Sequence, residues 1–389
     1  MNKAFIESGY VSLNKMGETL CGDRVETVKS EDLFTIVLAD GLGSGVKANI
    51  LSTLTSKILA TMTASGIGIG DCVQTIACTL PVCRERGIAY STFSIVQIGK
   101  DKDVSIVQFD NPNVIMLRNG KNYNYPAKEL SIGGKKILET HLTAQVGDVF
   151  ILLSDGTIHA GIGSFLNFGW QRENIVAYAE EQYAAGMSAK SLADSIGEAC
   201  NGLYEEKPGD DTTIAVVKVR NRVPVSLIIG PPVNPEDDAV VMKRFFSSEG
   251  KKIVCGGTTA TIVSRYLNKP IDASIDYIDP QIPPTAKIAG VDLVTEGVIT
   301  IGRVLEISKK YASEKDFSTN WRDKKDGASL ISKVLFEEAT DIHFYVGRAK
   351  NPAHQNPSLP IDLSLKLRLI EDLASNLRAM GKNVDVSFF

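Results

Sequence analysis

The sequence predicts an α+β domain followed by a smaller three-layer α/β domain. Three observations carry this expectation. Up to about residue 220, strand-like runs cluster together and helical blocks follow them, whereas from residue 225 strand and helix alternate. Asn221-Arg222-Val223-Pro224 breaks the pattern between the two regimes. The length of 389 residues, with 43% apolar and 23% charged residues, is enough for two separate cores. The expected domains are residues 1–222 and 223–389.

The first strong element is the apolar run 33–40, which has the composition of a strand buried on both faces and ends at Asp40 before a glycine-rich turn. Residues 46–65 then carry helical spacing, as do 71–86, where Pro81 would bend the helix. Runs at 89–98, 104–109 and 114–118 are separated by Gly99-Lys100-Asp101-Lys102 and Asp110-Asn111-Pro112-Asn113, which predicts an antiparallel meander. A strand ending at Asp155, helices at 173–184 and 188–204, and a strand at 212–219 complete the first domain.

In the second domain, strand 225–229 leads through Gly230-Pro231-Pro232 to a helix capped by Asn234 with Pro235 at its first position. Strand 251–254 runs into Cys255-Gly256-Gly257-Thr258-Thr259 and a helix, then a strand at 273–277. Helices at 295–312 and 327–338, a strand at 342–346, a proline-rich loop through Pro360, a helix at 363–380 and a terminal strand follow.

Composition removes several function classes. A formal net charge of −4 with no long Lys/Arg block argues against nucleic acid. No apolar run reaches the roughly 18 residues a bilayer span needs, and Glu7 interrupts the start, so no membrane association is expected and the expected location is cytoplasmic. The six cysteines form neither a disulfide framework nor paired ligand motifs and are expected to be reduced and mostly buried. None of His141, His159, His343 and His354 has zinc-ligand spacing, which leaves each a surface or packing role.

The chemistry points to carboxylates. Asp40-Gly41-Leu42-Gly43-Ser44-Gly45, Ser154-Asp155-Gly156 and Asp210-Asp211-Thr212-Thr213 each set an aspartate at the edge of a strand-like run. Any one of them alone would suit a turn. Together they offer hard oxygen ligands for Mg2+ or Mn2+, and two such ions can clamp phosphoryl oxygens and acidify a water. A dinucleotide fingerprint at Gly41-x-Gly43-x-Gly45 is disfavoured, because its spacing misses G-x-G-x-x-G and Asp40 would face the phosphates. Cys78 to Arg84 has the Cys-x5-Arg spacing of cysteine-dependent phosphatases, but it lies in a helical pattern without a loop-opening glycine.

In order and spacing these three segments resemble the PPM (PP2C-type) metal-dependent serine/threonine phosphatases, specifically their bacterial sporulation and stress-response branch, over residues 8–220. The resemblance implies a β-sandwich flanked by helices. It also implies two Mn2+ or Mg2+ ions, with Asp40 bridging them, Asp155 and Asp210 completing the pair, and the Gly41 carbonyl ligating through water. Asp23 falls at an additional acidic position, as ligand or as support, and Asp211 is expected to orient the site through hydrogen bonds. Gly22 stands where eukaryotic members carry glutamate, and nothing matches their phosphate-gripping arginine. The implied activity is hydrolysis of phosphoserine or phosphothreonine by metal-activated water, on a phosphorylated regulatory protein of a partner-switching pathway. The alternative is a weakly active or inactive phosphatase-fold signalling scaffold whose second domain senses a nucleotide or other anionic ligand. For that domain Gly256, Gly257 and Thr258 are the candidate ligand-binding residues, although capping by Thr258 explains the same pattern.

Overall fold

In a computed structural model, which describes residues 4–79, 91–132, 135–273, 282–313, 320–349 and 363–389, the chain falls into two units, Met1–Asn221 and Arg222–Phe389. The first contains, in order, β1 (Phe5–Leu13), β2 (Asp23–Lys29), β3 (Leu33–Gly41), α1 (Gly45–Ala64), α2 (Ile69–Thr79), β4 (Ser91–Gly99), β5 (Asp103–Phe109) and β6 (Ile115–Arg118). There follow β7 (Lys121–Asn122), β8 (Lys128–Ile132), β9 (Lys135–Thr143), β10 (Val149–Leu153), α3 (Asp155–His159), α4 (Arg172–Gln182), α5 (Ala189–Leu203) and β11 (Thr212–Arg220).

These strands form two sheets, ordered β2-β3-β4-β5-β9-β8 and β1-β11-β10-β6-β7, and every pairing is antiparallel. The alternation of β3 explains the layering. Ile36 and Leu38 meet Phe150, Leu152 and Val217 between the sheets, while Val37 and Ala39 face outward against Leu51, Leu59 and Val73 of α1 and α2. On the opposite sheet α5 packs over β1 and β11. The result is helix, sheet, sheet, helix.

The seat of α1 is made of small residues. Ala48, Ser52, Thr55 and Ser56 are buried, and the hydroxyls of Ser52 and Ser56 donate to the carbonyls of Asn49 (3.1 Å) and Thr53 (3.2 Å). Hydroxyls satisfied within their own helix can be buried at little cost.

The expected meander holds for β4 and β5 only. The third run, β6, crosses to the other sheet beside β10, and β9 takes the place next to β5. Asp110 turns the chain with φ 56°, and Val114 to Leu117 are all buried, as a strand inside a sandwich requires. Arg118 at the end of β6 grips Asp148, with Nε to Oδ1 at 2.9 Å and Nη2 to Oδ2 at 2.8 Å, and the Gln145 amide donates to the same carboxylate at 2.7 Å.

The second unit contains β12 (Pro224–Ile229), α6 (Asp238–Ser247), β13 (Lys251–Cys255), α7 (Gly257–Leu267), β14 (Asp272–Ala273), β15 (Ala286–Lys287) and β16 (Leu293–Thr295). It continues with α8 (Val298–Tyr311), α9 (Gly327–Ser332) running into a π-helical turn at Lys333–Glu338, β17 (Asp341–Val346), α10 (Leu363–Ala379) and β18 (Asn383–Phe388). One sheet, β14-β15-β16-β13-β12-β17-β18, is parallel from β16 to β18. Side chains of α8, α9 and α10 cover one face, and those of α6 and α7 the other. This is the three-layer α/β arrangement.

Local expectations are adjusted in two places. Pro235 opens a short 3-10 turn, but Asn234 makes no side-chain capping bond. The run at 273–277 contributes only its first residue to β14, and 274–277 lie outside the described residues, as do Pro81, Cys83, Arg84, His354 and the loop through Pro360. Among the described residues no helix is long and apolar enough to cross a membrane.

Because Asp148 is essentially buried while holding a guanidinium and an amide, Asp148→Ala should strand Arg118. It should lower the unfolding free energy by on the order of 3 kcal/mol in urea titration, and a change below about 0.5 kcal/mol would show that the pair does not hold β6.

Candidate metal centre

Register brings the first two aspartates together. β2 pairs with β3 so that Asp23 stands opposite Asp40, and the Gly41 amide donates to the Gly22 carbonyl at 3.2 Å. The Asp40 carbonyl is fixed in turn by the Ser91 hydroxyl at 2.7 Å. From the other sheet, Asp155 opens α3 directly after β10, and Asp210 and Asp211 precede β11. Ser154 ties these two segments, since its Oγ accepts from the Thr213 amide at 2.8 Å and its amide donates to the Thr213 carbonyl at 3.0 Å.

Glycines make the close approach possible. A Cβ on Gly41 would lie 2.0 Å from the Ala48 carbonyl oxygen of α1, and one on Gly156 would lie 2.2 Å from the Asp211 carbonyl oxygen. Gly22 admits the Asp211 carboxylate, because a Cβ there would meet Oδ2 at 2.7 Å. The glycine that departs from the eukaryotic glutamate therefore makes room for an aspartate from the turn before β11.

The electrostatics are those of carboxyl groups crowded together at one rim. Asp23 and Asp211 are each 4% exposed; neither Asp23 oxygen nor Asp211 Oδ2 has a hydrogen-bond partner within ordinary geometry. Burial, tempered by the nearby Ser154 and Thr213 hydroxyls and reinforced by the charge of Asp211 and Asp155, pushes Asp23 up to about 7. Burial and then the charges of Asp23, Asp155 and Asp210 push Asp40 up to about 9. Asp155 is raised as well, first by burial and then by Asp210. A set of hard oxygen donors with unsatisfied buried atoms fits a divalent cation, which would restore the missing partner to each.

Asp211 Oδ1 accepts the Lys15 amide at 3.0 Å, and Lys15 Nζ stands 3.5 Å from Asp210 Oδ1. Sequence reasoning missed two neighbours of this rim. Lys15 offered no motif. His159 was expected to be a surface or packing residue, and it is exposed, yet its ring offers a nitrogen that lies with oxygens of Asp155 and Asp210 in a group whose atoms are all within 4.8 Å of one another. The spacing of four residues from Asp155 was the available signal. Cys21, beside the rim, is a thiol raised by burial and by Asp23 and Asp211.

In the second unit, Gly256 rather than Thr258 occupies the cap of α7, with φ 105° and no side-chain capping bond, so the capping role expected of Thr258 is absent. Gly256, Gly257 and Thr258 line a cleft at the C-terminal ends of the parallel strands, together with Gly230, Glu296 and Lys366. Lys366 is buried there, its ammonium donating to the Gly347 carbonyl and its pKa lowered by burial.

Two facing antiparallel sheets flanked by helices, with aspartates at one rim, define the fold of the PP2C-type phosphatases. Residues 30–220 match the family model of Stage II sporulation protein E (SpoIIE). Similar solved structures include the PP2C phosphatase domain with a fragment of the regulatory domain of the cell fate determinant SpoIIE from Bacillus subtilis. It is 20% identical with a TM-score of 0.49, and the match covers 57% of this chain and 64% of that one, so this chain spans under two thirds of it. The RsbU and RsbW domains of Rv1364c from Mycobacterium tuberculosis are 15% identical with a TM-score of 0.47, covering 63% and 67%. RsbX in complex with magnesium is 19% identical with a TM-score of 0.40, covering 56% and 100%. No curated protein matches.

Carboxyls held above their unfolded values keep protons in the folded chain that the unfolded chain has already released. Without metal, their contribution to stability is whole below about pH 4 and is lost as pH rises through about 7 for Asp23 and about 9 for Asp40. The melting temperature of the metal-free protein should fall across this window, and Asp23→Asn should flatten the fall; identical slopes in the two proteins would contradict the electrostatic account.

Proposed function

We propose that this chain is a divalent-metal-dependent phosphatase acting on phosphoserine or phosphothreonine of a regulatory protein, in a cytoplasmic partner-switching pathway. The observation that carries the reading is the gathering of Asp23, Asp40, Asp155, Asp210 and Asp211 at one rim, with buried oxygens lacking partners. Asp40, Asp155 and Asp210 would hold two Mn2+ or Mg2+ ions, with Gly41 contributing backbone. Asp23 would lend its buried carboxylate to the same centre, and Asp211 would orient the rim through the Lys15 amide. When bound, such ions supply an acidified water and neutralise phosphoryl oxygens.

The chain's own residues do the rest. Ser154 and Ser91 fix the strand ends that carry Asp155 and Asp40, and Tyr204 anchors the start of α3 by donating to the Gly156 carbonyl at 2.6 Å. Lys15, half-exposed beside Asp210, is placed to meet a substrate phosphate in the absence of the arginine that eukaryotic members use. The second unit would regulate this activity or recognise the partner, with its cleft at Gly256, Gly257 and Thr258 receiving an anionic group. Its support is the position of that cleft outside the carboxyl ends of a parallel sheet.

Hydrolysis of p-nitrophenyl phosphate with Mn2+ tests the central claim. Asp155→Asn should reduce turnover by at least about a hundredfold, and undiminished turnover would end the reading. Lys15→Met should raise KM several-fold while kcat changes little, the pattern of a lost binding contact; an unchanged KM would exclude Lys15 from phosphate binding. For the cleft, nucleotides and inorganic phosphate should raise the melting temperature of the full chain but not of Gly256→Val, and equal shifts in both would remove the cleft from consideration.

A further inference from the structure

One group at the rim is a nitrogen donor among oxygens. Asp155 and His159 lie four residues apart on α3, so both side chains leave the same face of the helix, and Asp210 faces them from the turn before β11. One ligand atom of each lies within 4.8 Å of the others. Around a single ion with bonds of about 2.1 Å, neighbouring ligand atoms stand roughly 3 Å apart and opposed ones about 4.2 Å. The three groups thus stand close enough for modest side-chain adjustment to let them share one cation. A second observation lies beside this group: the buried Asp23 carboxylate, which feels the charges of Asp211 and Asp155, has no partner on either oxygen. The only cation recorded beside the three among the described residues is Lys15, and its 3.5 Å pairing with Asp210 is a half-exposed contact of the kind worth little.

We infer that His159 coordinates the ion held by Asp155 and Asp210, making that position a mixed carboxylate and imidazole site that favours Mn2+ and later transition ions over Mg2+. The inference rests on the metal-dependent reading above and specifies which ion one of its positions selects. Imidazole is a softer donor than carboxylate or water, and affinity for it rises from Mn2+ towards Zn2+, whereas Mg2+ prefers oxygen. Because His159 is exposed, the selection acts at the open side of the centre, where an ion enters from solvent.

Pulsed electron paramagnetic resonance of the whole 389-residue chain loaded with Mn2+ reads this directly, since a coordinated imidazole imposes nitrogen-14 modulation on the manganese signal. The modulation should be present in the native chain and in His141→Gln, and absent in His159→Gln. Calorimetric titration should show Mn2+ affinity reduced roughly tenfold or more by His159→Gln, with Mg2+ affinity changed less than about threefold. His159→Asp, which keeps a ligand but replaces nitrogen by oxygen, should lose the modulation and bind Mg2+ more tightly than the native chain. Both positions are exposed and tolerate these substitutions, which unchanged melting temperatures of the metal-free variants would verify. Manganese that binds, is abolished by Asp155→Asn and shows no nitrogen modulation overturns the role of His159 while leaving the carboxylate centre intact. Absence of Mn2+ binding, or binding indifferent to Asp155→Asn, overturns both.

Discussion

Carboxylates that repel one another are the constraint on which the first unit is organised. Asp23, Asp40 and Asp155 are held where burial and like charge both oppose ionisation, and nothing local in any one strand would keep them there. What holds them is the register of β2 against β3 in one sheet and the Ser154 to Thr213 ties in the other. The two sheets are locked by the apolar layer of Ile36, Leu38, Phe150 and Val217. Folding energy from that layer is stored as electrostatic strain at its rim, which a cation can relieve.

The same economy shows in the glycines. Gly41, Gly156 and Gly22 each surrender a side chain so that a neighbouring backbone or carboxylate can occupy the space. The tightness is directional. Gly41 brings α1 against β3, whereas Gly22 and Gly156 draw the turn before β11 toward β2 and α3. Helix, strand and turn are therefore positioned by absence of side chains as much as by contacts between them.

The parts of this structure that were legible in the sequence are those whose composition had only one structural use. β3 and β10 are apolar on both faces, and α5 and α10 have helical spacing throughout. β1 and β2 were not seen, because Glu7, Ser8 and Gly9 interrupt the first and polar residues fill the second. Tertiary contacts explain both: Glu7 pairs with Arg220 of β11, and Gly9 lets α5 approach to 2.5 Å of where a Cβ would lie. β6 was placed in the wrong sheet, since an apolar run does not say which neighbour it will take. At the rim, the aspartates were visible because they end strand-like runs before glycine. Lys15 and His159 were not, since their proximity depends on the loop after β1 and on a helix of five residues, α3.

The pairing of β1 with β11 runs over nine residues, from Phe5 opposite Arg220 to Leu13 opposite Thr212. β1 thus waits for β11, and β10 needs the same partner on its other side. During translation, therefore, the five-stranded sheet has no complete form until β11 has left the ribosome, and the aspartates just before β11 arrive with it. A nascent chain interrupted before the turn into β11 carries Asp23, Asp40 and Asp155 but neither Asp210 nor Asp211.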